Sequence, residues 1–287
     1  MNSLLCYLYR NKEKVLPNIE LAKFPPMRWL RSRIRRRMRR EFVEIMGHKI
    51  FLDPNDALDL SINPVYEPEL TAMIQSETRP GDVAVDIGAN IGYYTLILAR
   101  CVGPDGRVFA FEPDPVNFAV LQKNILTNGY KNVVALNKAL SDQAASAKLF
   151  LAPDNLADHR IFDPGDGRQS IPIETLVFDE FLADASVEIN VIKMDIQGAE
   201  YRALRGMRSV LTRSRNITLF TEFWPYGLFK AGEADPEAFL RLLNELGFTI
   251  YDVCSPRSPL AQARIDALIE RRRENNPRHL DLMCKRV

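Results

Sequence analysis

From about residue 67 onward, short apolar runs alternate with stretches whose apolar residues recur every three or four positions. Glu67 to Thr78 has the second pattern, with Pro68 in a first turn where its missing N–H costs nothing. Arg79-Pro80-Gly81-Asp82 stops that helix. Val83-Ala84-Val85 is a continuous apolar run, as expected of a strand buried on both faces of a parallel sheet. Tyr93 to Cys101 predicts a helix ended by Gly103-Pro104-Asp105-Gly106, and Arg107 to Phe111 a second strand. Asp114 then caps a helix with Pro115 at its first position, burying Phe118, Leu121 and Ile125 and ending near Asn128-Gly129. Five further strands are predicted at Asn132–Leu136, Glu188–Met194, Ile217–Phe223, Phe248–Val253 and Leu280–Cys284. Helices are expected from Ala199 and over Pro236–Leu246. Residues 141–185 are less regular, with strand-like pieces at Ala147–Leu151 and Ser170–Ile173 around a polar loop from Asp154 to Gly167.

Strands and helices alternating through short links predict an α/β fold, a doubly wound and mostly parallel sheet of seven strands. Ligands of such sheets bind beyond the carboxyl ends of the strands. Residues 1–60 read as a separate basic extension that contains a strand pair, Phe42–Ile45 and Lys49–Leu52, and a turn at Asp53-Pro54-Asn55-Asp56. The domain proper is expected over 61–287.

Composition narrows the class. A chain of 287 residues, 46% hydrophobic and 26% charged, buries enough surface to fold without staples. Cys6, Cys101, Cys254 and Cys284 are far apart and make no CxxC, so neither a disulfide framework nor a zinc site is expected. With only His48, His159 and His279 as histidines, no metal is predicted. No apolar run reaches the ~18 residues of a membrane span. Met1 to Arg10 lacks the basic leader of a signal peptide, which makes the cytoplasm the expected location.

The net charge of +1 hides an asymmetry: residues 28–40 hold eight arginines and no acid, while the rest has 37 acidic against 30 basic residues. Met27, Leu30, Ile34 and Met38 recur at helical spacing among those arginines. A basic amphipathic helix over 27–42 suits peripheral contact with an anionic membrane at its inner face. Nucleic acid is the rival partner, and a solvated helix packed on the domain is the third reading.

Candidate chemistry begins where the first strand meets the first helix of the alternating region. Asp86-Ile87-Gly88-Ala89-Asn90-Ile91-Gly92 lies at that junction. Gly88 and Gly92 allow a tight turn and a close ligand, and Asn90 tolerates left-handed dihedrals. Twenty residues past Gly92, the next strand ends in Glu112, where a carboxylate can accept both hydroxyls of a ribose. Two nucleotide cofactors share that pairing of loop and acid, a dinucleotide and S-adenosylmethionine. Gly-x-Asn-x-Gly differs from the dinucleotide spacing, and Asp86 would repel a pyrophosphate while favouring an ammonium and a sulfonium. The remaining alternative is a strand-to-helix turn with no ligand.

Val85-Asp86-Ile87-Gly88-Ala89-Asn90-Ile91-Gly92-Tyr93-Tyr94-Thr95 resembles the first motif of the FkbM-type methyltransferases. Phe111-Glu112-Pro113-Asp114-Pro115-Val116-Asn117-Phe118 is similar to their second and Ala139-Leu140-Ser141-Asp142 to their third. Ile192-Lys193-Met194-Asp195-Ile196-Gln197-Gly198-Ala199-Glu200 is similar to their fourth. The likeness covers about residues 60–255 in order. It implies a class I, Rossmann-like methyltransferase fold, with S-adenosylmethionine held at Asp86, Gly88, Ala89, Asn90, Gly92, Glu112 and Asp142. It also implies methyl transfer to a hydroxyl of a sugar, glycan or secondary metabolite. Gln197 stands where the family often has Glu, so no carboxylate role carries over to that position.

A hydroxyl acceptor needs its proton taken by a base. Asp195 ends the fourth strand and is the first candidate, with Lys193 two residues earlier as its partner; a purely structural ion pair is the alternative. Glu200, five residues on, either orients the site or favours a helix N-terminus. His159, with Arg160 in the polar loop, is the next candidate base, and the resemblance places a similar His-Arg pair there. Glu222, ending the fifth strand, would line an acceptor pocket walled by Trp224 and Tyr226, unless those rings are core packing. Outside methyl transfer, two readings stay open. One is an NAD-type oxidoreductase; the other is a non-catalytic protein of the same fold that binds membrane or nucleic acid through its arm.

Overall fold

The structure, a computed structural model, describes residues 40–152, 155–183, 187–232, 235–270 and 279–286. Residues 27–39 of the expected basic helix, and Asp154 of the polar loop, lie outside the described residues.

A hairpin comes first: β1 (Phe42–Ile45) pairs antiparallel with β2 (His48–Phe51). Alternation begins with α1 (Pro68–Glu77), β3 (Val83–Ile87), α2 (Tyr93–Val102), β4 (Arg107–Phe111), α3 (Pro115–Thr127) and β5 (Val133–Leu136). The irregular region holds β6 (Ala139–Leu140), β7 (Ser146–Phe150), β8 (Ser170–Leu176) and the short α4 (Phe178–Phe181). Then follow β9 (Val191–Met194), α5 (Glu200–Gly206), α6 (Arg208–Arg213), β10 (Ile217–Phe223), α7 (Pro225–Lys230), α8 (Pro236–Glu245) and β11 (Thr249–Asp252). The chain closes through β12 (Ser255–Pro259), α9 (Gln262–Ile269) and β13 (Leu280–Arg286).

The large sheet runs β12-β11-β13-β10-β9-β3-β4-β5. From β10 to β5 all neighbours are parallel, and β13 is inserted antiparallel between β11 and β10. This is the doubly wound, mostly parallel class I architecture that the alternation and the motifs predict. Strand order reverses between β3 and β9, because the chain builds outward through β4 and β5 and then returns to the other side of β3. Such a switch point opens a crevice at the carboxyl ends of the two strands.

Eight strands form the sheet rather than the seven expected. The extra one, β12, reads Ser-Pro-Arg-Ser-Pro and has no apolar alternation. Proline is tolerated there because β12 is the sheet's edge and its pairing with β11 is irregular. The two strand-like pieces of the irregular region pair as β7 and β8, and β6 joins β8 in parallel, making a separate three-stranded sheet.

Both faces of the large sheet are covered. Val85, Ile87, Phe109, Ile192 and Leu219 point into one cluster with residues of α4, α5, α6 and α8. Ala84, Val108, Val191, Phe220 and Met283 point into the other, with α1, α2 and the hairpin residues Val43, Ile45 and Ile50. Side chains of α3 bind the hairpin as a strand would. Asn124 accepts from the Phe51 amide at 2.7 Å and donates to its carbonyl at 3.0 Å. One turn on, Asn128 makes the same pair of bonds with Lys49 at 3.0 and 2.8 Å.

Candidate active site

The chain leaves β3 through three positive-φ residues, Gly88 (78°), Asn90 (51°) and Gly92 (94°), before α2 starts at Tyr93. A Cβ on Gly88 would lie 2.1 Å from the Asp195 carbonyl oxygen, and one on Gly92 2.7 Å from Leu121 Cδ1. The loop is thus wedged between the end of β9 and α3, where no larger residue fits. Asn90 caps its own turn, its Oδ1 accepting from the Ile91 amide at 2.7 Å. The Gly88 and Ala89 amides both donate to the Phe111 carbonyl at 3.0 Å.

Glu112 holds this loop against the next one. Its Oε2 accepts from the Asn90 amide at 2.7 Å and its Oε1 from the Asp114 amide at 2.9 Å. Burial pushes its carboxyl up to about 7, although the two amides pull the other way. Each oxygen keeps a further acceptor site, and the side chain borders the cleft.

The cleft encloses about 410 Å³ at the carboxyl ends of β3, β4, β9 and β10, within the usual range for small-molecule sites. One end is bordered by Asn90, Glu112, Pro113, Asn117, Leu140 and Leu156, the other by Tyr94, Lys193, Asp195, Gln197, Glu222 and Trp224.

At the second end, Lys193 Nζ lies 3.7 Å from Asp195 Oδ2, 3.4 Å from the Gly88 carbonyl and 5.1 Å above the Tyr94 ring. Burial works against its charge, but Asp195, Asp86, Glu67 and Glu112 outweigh burial and raise its pKa. Gln197 Nε2 donates to Asp195 Oδ1 at 2.9 Å and to Glu222 Oε2 at 3.3 Å. A glutamate at that position would add a third carboxylate to the pair, whereas the amide bridges them. Burial, then repulsion from Asp195, Glu200 and Asp281, pushes the Glu222 carboxyl well above the usual range. His279 Nδ1 is 3.5 Å from Glu222 Oε1.

Several residues named from the sequence sit behind the cleft rather than on it. Asp86 is fully buried, and its Oδ2 accepts from Thr95 Oγ1 at 2.5 Å. It secures the first turn of α2 and balances Lys193 from below, so a direct contact with cofactor is replaced by support. Gly92 packs on Leu121. Asp142, expected at the cofactor, pairs instead with Arg205 at 3.1 Å and is not on the cleft wall. Glu200 accepts the Ile196 and Gly198 amides at 3.1 and 2.9 Å, closing the turn after Asp195. Burial lifts its carboxyl to about 7.

His159 does border the cleft, but its chemistry differs from that of a base. Nδ1 accepts from the Ala152 amide at 3.0 Å, which leaves the proton on Nε2, 3.3 Å from Asp114 Oδ2. With its lone pair used by the main chain, the ring braces the loop across the cleft. Burial would raise Asp114, but hydrogen bonds from His159 and the Val116 amide hold its carboxyl below the usual range. Next to it, the Arg160 guanidinium lies 4.7 Å over the Trp224 ring. Trp224 lines the cleft; Tyr226 packs on Trp224, ring centroids 5.6 Å apart, without reaching the cleft wall.

Sequence reading missed three groups at this end. Glu67 accepts from Tyr94 Oη at 2.8 Å, and burial followed by repulsion from Asp195 raises its carboxyl. Asp281 sits opposite Glu222 in the β10–β13 register, and burial raises it. His279 is the third. All three come from outside the four motifs, and only the pairing of β13 beside β10 brings the last two in.

Residues 86–250 match the family model described as the methyltransferase FkbM domain. The chain is 30% identical over 183 residues to the hexuronic acid methyltransferase AglP of Haloferax volcanii, covering 62% of this chain and 68% of that one. It is 41% identical over 78 residues to the 31-O-demethyl-FK506 methyltransferase FkbM of Streptomyces tacrolimicus, covering 27% and 29% respectively. Among solved structures, a SAM-dependent O-methyltransferase from Thermotoga maritima is 14% identical at a TM-score of 0.42, over 86% of this chain and 77% of that one.

Proposed function

The chain belongs to the FkbM methyltransferase family, and from that premise we propose that it methylates a hydroxyl of a sugar, glycan or secondary metabolite. Its cofactor is S-adenosylmethionine, which supplies a methyl group on an electrophilic sulfonium. The protein residues present fit that cofactor: Gly88, Ala89 and Asn90 border the cleft, and Glu112 beside them keeps acceptor sites for ribose hydroxyls. Methyl transfer from a sulfonium is an in-line displacement, so the enzyme's main task is alignment.

One observation carries the choice of a hydroxyl acceptor. Asp195 is oriented into the cleft from two sides, by Gln197 at 2.9 Å and Lys193 at 3.7 Å. A carboxylate paired with a lysine and fixed by an amide is placed to take the proton of a hydroxyl as its oxygen is methylated. Glu222 is joined to Asp195 through Gln197, and burial favours the neutral form of its carboxyl. The name of one relative, a 31-O-demethyl-FK506 methyltransferase, favours oxygen as the acceptor atom.

The test is transfer of labelled methyl to a panel of hexuronic acid glycosides, neutral glycosides, polyketide alcohols and matched amines. Methylation of a hydroxyl is expected, with Asp195→Asn slowing it at least ~100-fold and leaving affinity for S-adenosylhomocysteine within threefold. Transfer to amines alone would overturn the hydroxyl assignment, and undiminished turnover by the variant would remove Asp195 as the base.

A further inference from the structure

The β1–β2 hairpin turns an aromatic face outward. Its register sets Phe42 opposite Phe51 and Glu44 opposite Lys49, while Val43, Ile45 and Ile50 point into the core. Phe42 is 38% exposed, and its ring centroid lies 5.8 Å from that of Phe51. Lys49 Nζ sits 4.0 Å from the Phe42 centroid, and Lys123 Nζ, from α3, 3.4 Å from that of Phe51. On the next turn of α3, Leu126 is 78% exposed. The two lysines meet two acids, Glu44 across the strand pair and Glu41 at 4.0 Å from Lys123. The face is therefore apolar, rimmed by charge and close to neutral, as surfaces that meet a membrane or a partner are.

Positive charge comes from the sequence that leads into this face. Residues 28–40 hold eight arginines and no acid, with Met27, Leu30, Ile34 and Met38 at helical spacing among them. That segment joins the fold at Arg40, two residues before Phe42, where the Arg40 amide donates to Ser61 Oγ at 3.0 Å. A cationic sequence with an apolar stripe, continuous with exposed aromatics, matches an anionic lipid surface. Arginines meet the headgroups, and apolar side chains meet the boundary with the acyl chains. Nucleic acid matches the arginines alone: a phosphate backbone leaves the apolar stripe without a partner. A lysine ammonium also occupies one face of each hairpin ring, where a base would otherwise stack. We propose that residues 27–40 and the outward face of the hairpin dock together on an anionic phospholipid surface.

The test is vesicle flotation of the full chain in about 0.15 M salt, with phosphatidylcholine alone and with phosphatidylcholine containing phosphatidylglycerol. Binding at least ~tenfold tighter to the anionic vesicles is expected, and Arg35→Gln, Arg36→Gln and Arg37→Gln together should weaken it at least ~tenfold. Phe42→Ser should weaken it at least ~threefold, through lost apolar contact. Trp29 and Trp224 are the chain's two tryptophans, and Trp224 is buried. A blue shift of tryptophan emission on anionic vesicles, lost in Trp29→Phe, is therefore expected as the arginine segment enters the interface. The wild-type comparison of the two vesicles needs no variant to fold. Equal binding to both vesicles, an unshifted emission, or undiminished binding by Phe42→Ser would overturn the proposal. Tighter binding to duplex DNA than to the anionic vesicles at equal phosphate concentration would overturn it in favour of nucleic acid.

Discussion

Glu112 shows how one side chain can serve binding at some expense to folding. Its carboxylate gathers the amides of Asn90 and Asp114, yet burial lifts its pKa from 4.5 to about 7. Between those values the native state binds more protons than the unfolded chain, so stability falls as pH rises from about 4.5 through about 7. Glutamine imitates the protonated group and escapes that loss. The stability of the wild type relative to Glu112→Gln should therefore decline between pH 5 and pH 8, by at most on the order of 3 kcal/mol. Urea unfolding at the two pH values measures it, and a pH-independent difference would contradict the burial argument. The position was legible in sequence because an acid at a strand end, twenty residues past a glycine loop, has few other uses. His159 was harder to read, since its composition and loop setting say nothing of the Ala152 amide that occupies Nδ1.

At the scale of elements, the site depends on β3 and β9 ending side by side. Just past those ends the Gly88 turn meets the Asp195 main chain, so Gly88→Ala must both adopt a φ near 78° and push against the Asp195 carbonyl. Gly129 has a φ of 72° with nothing near a potential Cβ, and Gly129→Ala meets only the dihedral penalty, about 1 kcal/mol. Gly88→Ala should cost at least ~1 kcal/mol more than that control in chemical denaturation. Equal losses would mean that the close approach to β9 carries no weight. The strands around this junction were legible because they are buried on both faces and begin as apolar runs, Val83–Val85 and Val191-Ile192, that Asp86 and Lys193 interrupt only near the site. β12 was not, since two prolines in five residues mimic a turn and only its edge position tolerates them. The four-residue α4 was equally hidden, being a single turn whose Phe178 is fixed by packing against Phe109 and Phe111.

Across the whole molecule, function follows from where the sheet changes direction. The loop, Glu112, Lys193 and Asp195 all occupy strand ends at that reversal, and their order in the motifs is enough to predict that they converge. The rest of the acidic end depends on topology that no local pattern encodes: β13 runs back antiparallel beside β10 and sets Asp281 against Glu222. Glu67 arrives from the start of α1, reaching Tyr94 across the other face. Carboxylates from three separate parts of the chain thus surround one lysine at the place where a cationic sulfonium and an acceptor must meet. The most direct measurement of this account is calorimetric titration of the wild type and Glu112→Ala with S-adenosylhomocysteine. Micromolar binding that the substitution weakens at least tenfold, or ~1.4 kcal/mol, is the predicted result. No binding by the wild type, or binding untouched by the loss of Glu112, would contradict it.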